Sequence, residues 1–375
     1  MSIFHKIRSE LEKPREARPF GSGWLSGSCA LLAGITSILL IVTMNYPSWF
    51  LTPQLTFLYE DGWLKVSLRM VTIIGYLLAL TSLLLSRNKV LGCSALFLIV
   101  ASTLIAGADS PADFEKTTSL YFGLDFFIVN VLFLGFLFIP LEKLFPAKHE
   151  KKVFRPEWEE DLFYYLVSSM FVQVLTFISL APSNFINSKF DLSGIQAFNS
   201  STPFILQVII IMIVTDFAQY WLHRLFHAVP FLWKFHSVHH SATSMDWLAG
   251  SRLHIIEILV LRSVTATPMF ILGFDPVAIQ TYLVIVYFYS SFVHANIGWS
   301  FKWVEKFMVT PKFHHWHHGK EKEAIDINFS IHFPLYDRLF GTYHMPQDRW
   351  PKEYGINDDP VPKGYLKQFF YPFKK

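Results

Sequence analysis

The fold is decided by DFAQYWLHRLFHAVPFLWKFHSVHH, Asp216 to His240, which follows the apolar run PFILQVIIIMIV. Asp216, Tyr220, His223 and His227 are spaced by four, three and four residues. On a helix of about 3.6 residues per turn they share one face. Two imidazoles one turn apart can hold a common metal ion. Pro230 is expected to end this helix shortly after His227. The stretch closes on a second group, H-S-V-H-H, with His236, His239 and His240. A third group, H-H-W-H-H, lies far downstream and holds His314, His315, His317 and His318.

One H-x-x-x-H arises by chance on many helices, so the argument rests on accumulation. Of the 15 histidines, all but His5 and His149 lie between His223 and His344. Neutral imidazole is a good ligand for Zn, Cu, Fe or Ni, and such clustering reads as a metal site. The three boxes supply His223, His227, His236, His239, His240, His314, His317 and His318. That is more than the roughly six positions around one metal ion, so two metals are expected. Helical geometry leaves the third box open, because His314/His317/His318 and His314/His315/His318 each lie on one face. The spacing of the second box favours the first set. His315 is then expected to point away from the metals, towards solvent or lipid headgroups.

Work outward from the boxes and the composition is that of a membrane protein. The chain has 375 residues, 52% hydrophobic and only 16% charged, with a mean hydropathy of +0.34. The 38 Phe, 15 Tyr and 11 Trp suit lipid-facing helices and interfacial belts. A net charge of +3 argues against a nucleic-acid binder. Cys29 and Cys93 both sit in apolar runs and read as packing residues.

Candidate spans are Trp24–Tyr46, Val66–Ser86, Val90–Ala108, Leu120–Leu141, Leu162–Ala181 and Phe204–His227, each near the ~20 residues that cross a bilayer. Glu257–Gly273 and Pro276–His294 form two crossings or a re-entrant hairpin. The expected fold is all-α: a multi-pass membrane helical bundle of about six spans plus a hairpin, capped by a histidine-rich di-metal region. Basic residues concentrate at the N-terminus (Lys6, Arg8, Lys13, Arg15, Arg18), at Arg87 and Lys89, and at Lys143, Lys148, Lys151, Lys152 and Arg155. The alternate loops carry only Lys65, Lys116 and Lys189. By the positive-inside rule the N-terminus and all three boxes face the cytoplasm. The expected division is a four-helix membrane region over residues 1–150, the histidine-bearing region over 151–350 and a tail over 351–375.

H-R-L-F-H, F-H-S-V-H-H and P-K-F-H-H-W-H-H-G resemble the fatty acid hydroxylase and sterol desaturase superfamily of integral-membrane oxygenases. Further matching motifs are Leu232-Trp233, R-L-H-I-I-E from Arg252 to Glu257, H-A-N-I-G from His294, D-I-N from Asp326 and Y-D-R-L-F-G-T from Tyr336. The resemblance runs over roughly residues 155–345. It departs at Ser330, where Gly is usual, and at Tyr336, where Trp is usual. The resemblance implies two iron ions, O2 as co-substrate, and oxidation of an unactivated C–H bond of a lipid to an alcohol or alkene. It makes His294 a ninth ligand candidate and the His315 position a non-ligand.

Imidazole ligands need outer acids or amides that accept their second N–H. Asp216, Glu257, Asp326 and Asn328 are the candidates. His254 stands between ligand and buried structural residue, and His332 and His344 read as bystanders. No flavin, nicotinamide or haem fingerprint is present, so electrons are expected from a separate protein of ferredoxin or cytochrome b5 type. The basic segments Lys302–Lys312 and Lys320–Lys322 could dock it. A metal transporter, with ligands on broken helices at the midplane, and a structural metal site of four ligands are the rival readings.

Overall fold

The computed structural model describes residues 2–60, 62–106, 121–149, 154–299, 302–346, 349–357 and 361–374. Lys116, Lys151 and Lys152, used in the charge argument, lie outside them. Among the described residues all regular structure is helical, apart from isolated bridges at Pro146–Ile297 and Gly319–Tyr354. Trp24–Asn45, Trp63–Leu85, Leu124–Leu144, Phe204–Ala228 and Pro276–His294 are long and apolar enough to cross a membrane, and the chain is a multi-pass membrane protein. The expected straight span Leu162–Ala181 is broken. Helices Trp158–Met170 and Val172–Lys189 meet at 62°. Neither Pro nor Gly stands at the bend, and no local residue explains it.

The described residues form two units. The first comprises residues 1–133 with 150–155 and 169–173. In it, Trp24–Asn45 packs on Trp63–Leu85 and Val90–Ala106 through small residues. A Cβ at Gly34 would lie 2.9 Å from Leu98, and one at Gly75 would lie 2.8 Å from Ile99. Without a hydrophobic drive between helices in lipid, this close approach is what holds them. Asp125, an acid in an apolar run, is satisfied here. It accepts from Thr52 N at 2.8 Å and Thr52 Oγ1 at 2.6 Å.

The second unit comprises residues 134–149, 156–168 and 174–375 and carries every box. Its first-box helix, Phe204–Ala228, ends where expected. Pro230 then serves as the first residue of the second-box helix, Pro230–His240, where its missing N–H costs nothing. The helices Ile255–Ile271 and Pro276–His294 form a hairpin that runs along the first-box helix. At its tip Asp275 N donates to Gln207 Oε1 (2.8 Å), and Leu272 O accepts from Asn199 (2.8 Å), beside the start of the first-box helix. At its other end His294 meets the boxes. Ala266, Met269, Ala278, Ile279 and Tyr282 of the hairpin close a core with Val208, Ile211 and Met212. The third box occupies the helix Pro311–His317, with His318 capping its C-terminus.

Candidate metal centre

Nine imidazoles meet in two adjoining groups. His223, His227, His236, His240 and His317 form one, and His239, His294, His314 and His318 the other. Within each group one ring nitrogen from every residue lies within 4.8 Å of all the rest. The groups touch through His240 and His318, whose rings stack at 4.4 Å. Helical phase explains the split of the second box. His236 and His240 are one turn apart and point together, while His239 is rotated by about 100° from His240 into the other group.

The backs of the rings fix which nitrogen faces inward. His223 Nδ1–H donates to Phe329 O (2.8 Å), His317 Nδ1–H to Ile327 O (2.7 Å) and His239 Nδ1–H to Arg252 O (3.2 Å). His294 Nδ1–H donates to Ser290 O (2.6 Å). Two more rings donate to carboxylates: His236 to Glu257 (2.6 Å) and His227 to Asp326 (3.1 Å). A carbonyl can only accept, so on the four rings held by carbonyls the proton sits on Nδ1 and the lone pair on Nε2, and an ionised carboxylate imposes the same on His236 and His227. Those lone pairs face one another. His223 and His236 Nε2 are 3.0 Å apart, and His239 and His294 Nε2 3.3 Å. Two acceptors at this distance repel unless a cation lies between them. The buried Nε2 atoms of His227 and His317 have no hydrogen-bond partner among the described residues. Burial, then neighbouring imidazoles, holds His236, His240, His314 and His317 well below the ordinary histidine range, which keeps them neutral. An all-imidazole donor set fits a transition metal and not Mg²⁺ or Ca²⁺.

Local backbone chemistry delivers these acceptors. Asp326 and Asn328 have φ of 57° and 56°, the left-handed region that Asp and Asn tolerate best. That turn presents the Asp326 carboxylate to His227 and the Ile327 carbonyl to His317. Asn328 reaches no imidazole. Its amide ties the turn to Phe313 O (3.0 Å) and His344 O (2.7 Å). Asp216 likewise meets no ring, although it shares a helical face with His223. Its carboxylate accepts from the backbone N–H groups of Ile331 (2.8 Å), His332 (3.1 Å) and Phe333 (2.8 Å). Three converging N–H donors outcompete an imidazole two turns away. Arg252, buried in an ion pair with Asp161, fixes the carbonyl that holds His239.

His315 stays out of both groups, but it does not point to solvent or headgroups. It is fully buried. Its Nε2–H donates to the His294 carbonyl (3.0 Å), and its Nδ1 accepts from Tyr354 (2.8 Å). Solvent would have left the His294 carbonyl without this donor. His254 caps the helix that carries Glu257, accepting from Ile256 N (3.2 Å), and reaches Phe369 O (3.0 Å). His332 and His344 lie outside both groups. Lys312 is buried, so it adds nothing to an exposed basic surface.

Residues 208–342 match the family described as fatty acid hydroxylase. The chain is 29% identical over 174 residues to an ornithine lipid hydroxylase of Rhizobium tropici, covering 46% of this chain and 52% of that protein. It is 26% identical over 134 residues to the alkylglycerol monooxygenase of Homo sapiens, covering 36% of this chain and 30% of that one. A methylsterol monooxygenase of Arabidopsis thaliana is 27% identical over 149 residues, covering 37% and 48%. The chain thus spans about half or less of the length of these relatives. No solved structure matches.

Proposed function

We propose that this chain, whose residues 208–342 match the fatty acid hydroxylase family, is a membrane-bound, O2-dependent lipid hydroxylase with two iron ions. The observation that carries this is the convergence of imidazole lone pairs in two adjoining groups at the end of apolar helices. One iron would take His223, His227, His236, His240 and His317. The other would take His239, His294, His314 and His318. When bound, the metal pair supplies reduction of O2 and oxidation of a C–H bond. The protein's part is positional. Glu257 and Asp326 orient His236 and His227 and raise their basicity. Asp216 and Asn328 hold the segment that feeds carbonyls to His223 and His317.

The relatives' names, all hydroxylases or monooxygenases of lipids, favour hydroxylation over desaturation, with a sterol, fatty acyl chain or ether lipid as the substrate class. Electrons come from a separate ferredoxin or cytochrome b5 type protein. Residues 151–350 form the catalytic domain, and residues 1–150 a membrane region. The tail over 351–375 braces that domain. Phe373 packs on Phe235, and Lys374 O accepts from Lys234 (2.7 Å). The boxes face the cytoplasm. A cysteine at Lys320 labelled from outside intact cells would overturn that orientation.

The decisive experiment is iron analysis of the purified protein together with oxygen uptake on membrane lipid. Two irons per chain and lipid-dependent uptake with an alcohol product are expected. Iron binding without lipid-dependent uptake would leave a metal protein and end the enzyme reading.

A further inference from the structure

Arg262 stands inside the apolar helix Ile255–Ile271, in the run ILVLRSVTATPMFI. A cation at membrane depth is costly, and where it persists it marks a ligand or ion path. Arg262 is half-buried, and its Nη2 donates to the Tyr287 hydroxyl at 3.0 Å. Among the described residues its guanidinium has no acidic partner and no other hydrogen bond. A guanidinium carries five N–H donors in a fork shaped for carboxylate or phosphate, and Tyr287 engages only one.

Its orientation is set by the helix. Ile258, Arg262, Thr265 and Met269 share a face, and Met269 is buried in the hairpin core. Arg262 therefore turns towards the Pro276–His294 helix. On that helix Tyr287 precedes His294 by nearly two full turns, so both lie on one face about 10 Å apart along the axis. Ser290, whose carbonyl holds the His294 ring, lies between them.

We propose that Arg262, fixed by Tyr287, is a subsite for the acidic group of a lipid, a carboxylate or a phosphate, about 10 Å from His294 along one helix face. Calling that lipid a substrate rests on the hydroxylase reading; the binding itself does not. Anchoring the acid at a fixed distance would decide which carbon reaches the metal centre.

The test is binding of cis-parinaric acid, followed by its fluorescence, to the full-length protein in detergent, with its methyl ester as the neutral control. Arg262→Gln should weaken the acid about tenfold or more, the loss of a charged hydrogen-bonded contact. Binding of the ester should not change, and Arg262→Lys should recover part of the affinity. Tyr287→Phe should cost about threefold. Displacement by palmitate or by lysophosphatidate identifies the acid as carboxylate or phosphate. Equal binding of acid and ester by the unmodified protein would overturn the proposal, and so would equal loss of both in Arg262→Gln. If Arg262→Gln does not fold, the acid-to-ester ratio of the unmodified protein and of Tyr287→Phe decides. The readout needs no turnover. Acid-selective binding without lipid-dependent oxygen uptake would sink the hydroxylase reading and spare the subsite, and the reverse result would do the opposite.

Discussion

The two histidine groups differ less in the atoms they turn inward than in what stands behind the rings. Behind the five-histidine group are two carboxylates, Glu257 and Asp326, and the carbonyls of Phe329 and Ile327. Behind the four-histidine group are the carbonyls of Arg252 and Ser290, and the Nδ1 atoms of His314 and His318 have no partner among the described residues. An acid behind an imidazole makes the ring a stronger donor and adds negative charge near the metal. The five-histidine site should therefore bind its metal more tightly. The four-histidine site, with fewer ligands and neutral backing, should release metal first to a chelator and keep more room for an outside ligand.

The largest effect is expected from His317→Ala, which removes a ligand and opens the better-backed site. Retained iron should fall by about half and turnover to background, since a metal site that loses a ligand loses its closed coordination. Iron analysis and oxygen uptake on one preparation check this. Full iron with full activity would break the assignment of His317 to the first group. Next in size is Glu257→Gln. Changes behind a ligand typically cost about 10–100-fold in metal affinity or activity, and here the loss should be confined to the five-histidine site. Chelator stripping in two kinetic phases would show it. If both phases quicken equally, the two sites do not differ as described. Asp326→Asn should fall at the low end of that range, because the Asp326 side chain is 64% exposed and solvent screens its charge.

The parts legible in the sequence were those written as periodic patterns. Helical spacing brought His223 and His227 together, the repeated H-x-x-H-H separated the grouped histidines from His315, and apolar runs marked the long apolar helices. What could not be read depended on distant backbone. Asp216 shares a face with His223, yet its partners are three N–H groups more than a hundred residues away. Nothing in helical phase encodes that. The same holds for the carbonyls behind His223 and His317, since a backbone acceptor has no residue type to signal it. The left-handed turn at Asp326 and Asn328 did leave a trace, two residues that tolerate positive φ flanking Ile327. The hairpin depth was open because Arg262 and Pro268 interrupt its hydropathy. Contacts at Gln207 and Asn199 set its tip beside the start of the first-box helix.

The smallest effect on metal is expected from His315→Ala, and it tests the register of the third box. His315 and His314 grip the same residue from two sides. His314 Nε2 faces His294 Nε2 at 3.0 Å, while His315 holds the His294 carbonyl at 3.0 Å. Truncating His315 removes no inward nitrogen, so the folded variant should keep both metals and retain activity to within about tenfold, the cost of loosening one ligand's support. The main penalty falls on stability. The ring is fully buried beside Trp350 and Tyr354, and its loss leaves a cavity of the kind that costs about 2–5 kcal/mol for a large-to-Ala change in a core. The His294 carbonyl and the Tyr354 hydroxyl would also lose their partner, so a clear drop in Tm should accompany near-normal iron. Because His294 belongs to the four-histidine group, the faster chelator phase should quicken while the slower one holds. If His315→Ala instead strips the iron and His317→Ala stays active, the box reads His314, His315, His318, and the division into five and four is wrong.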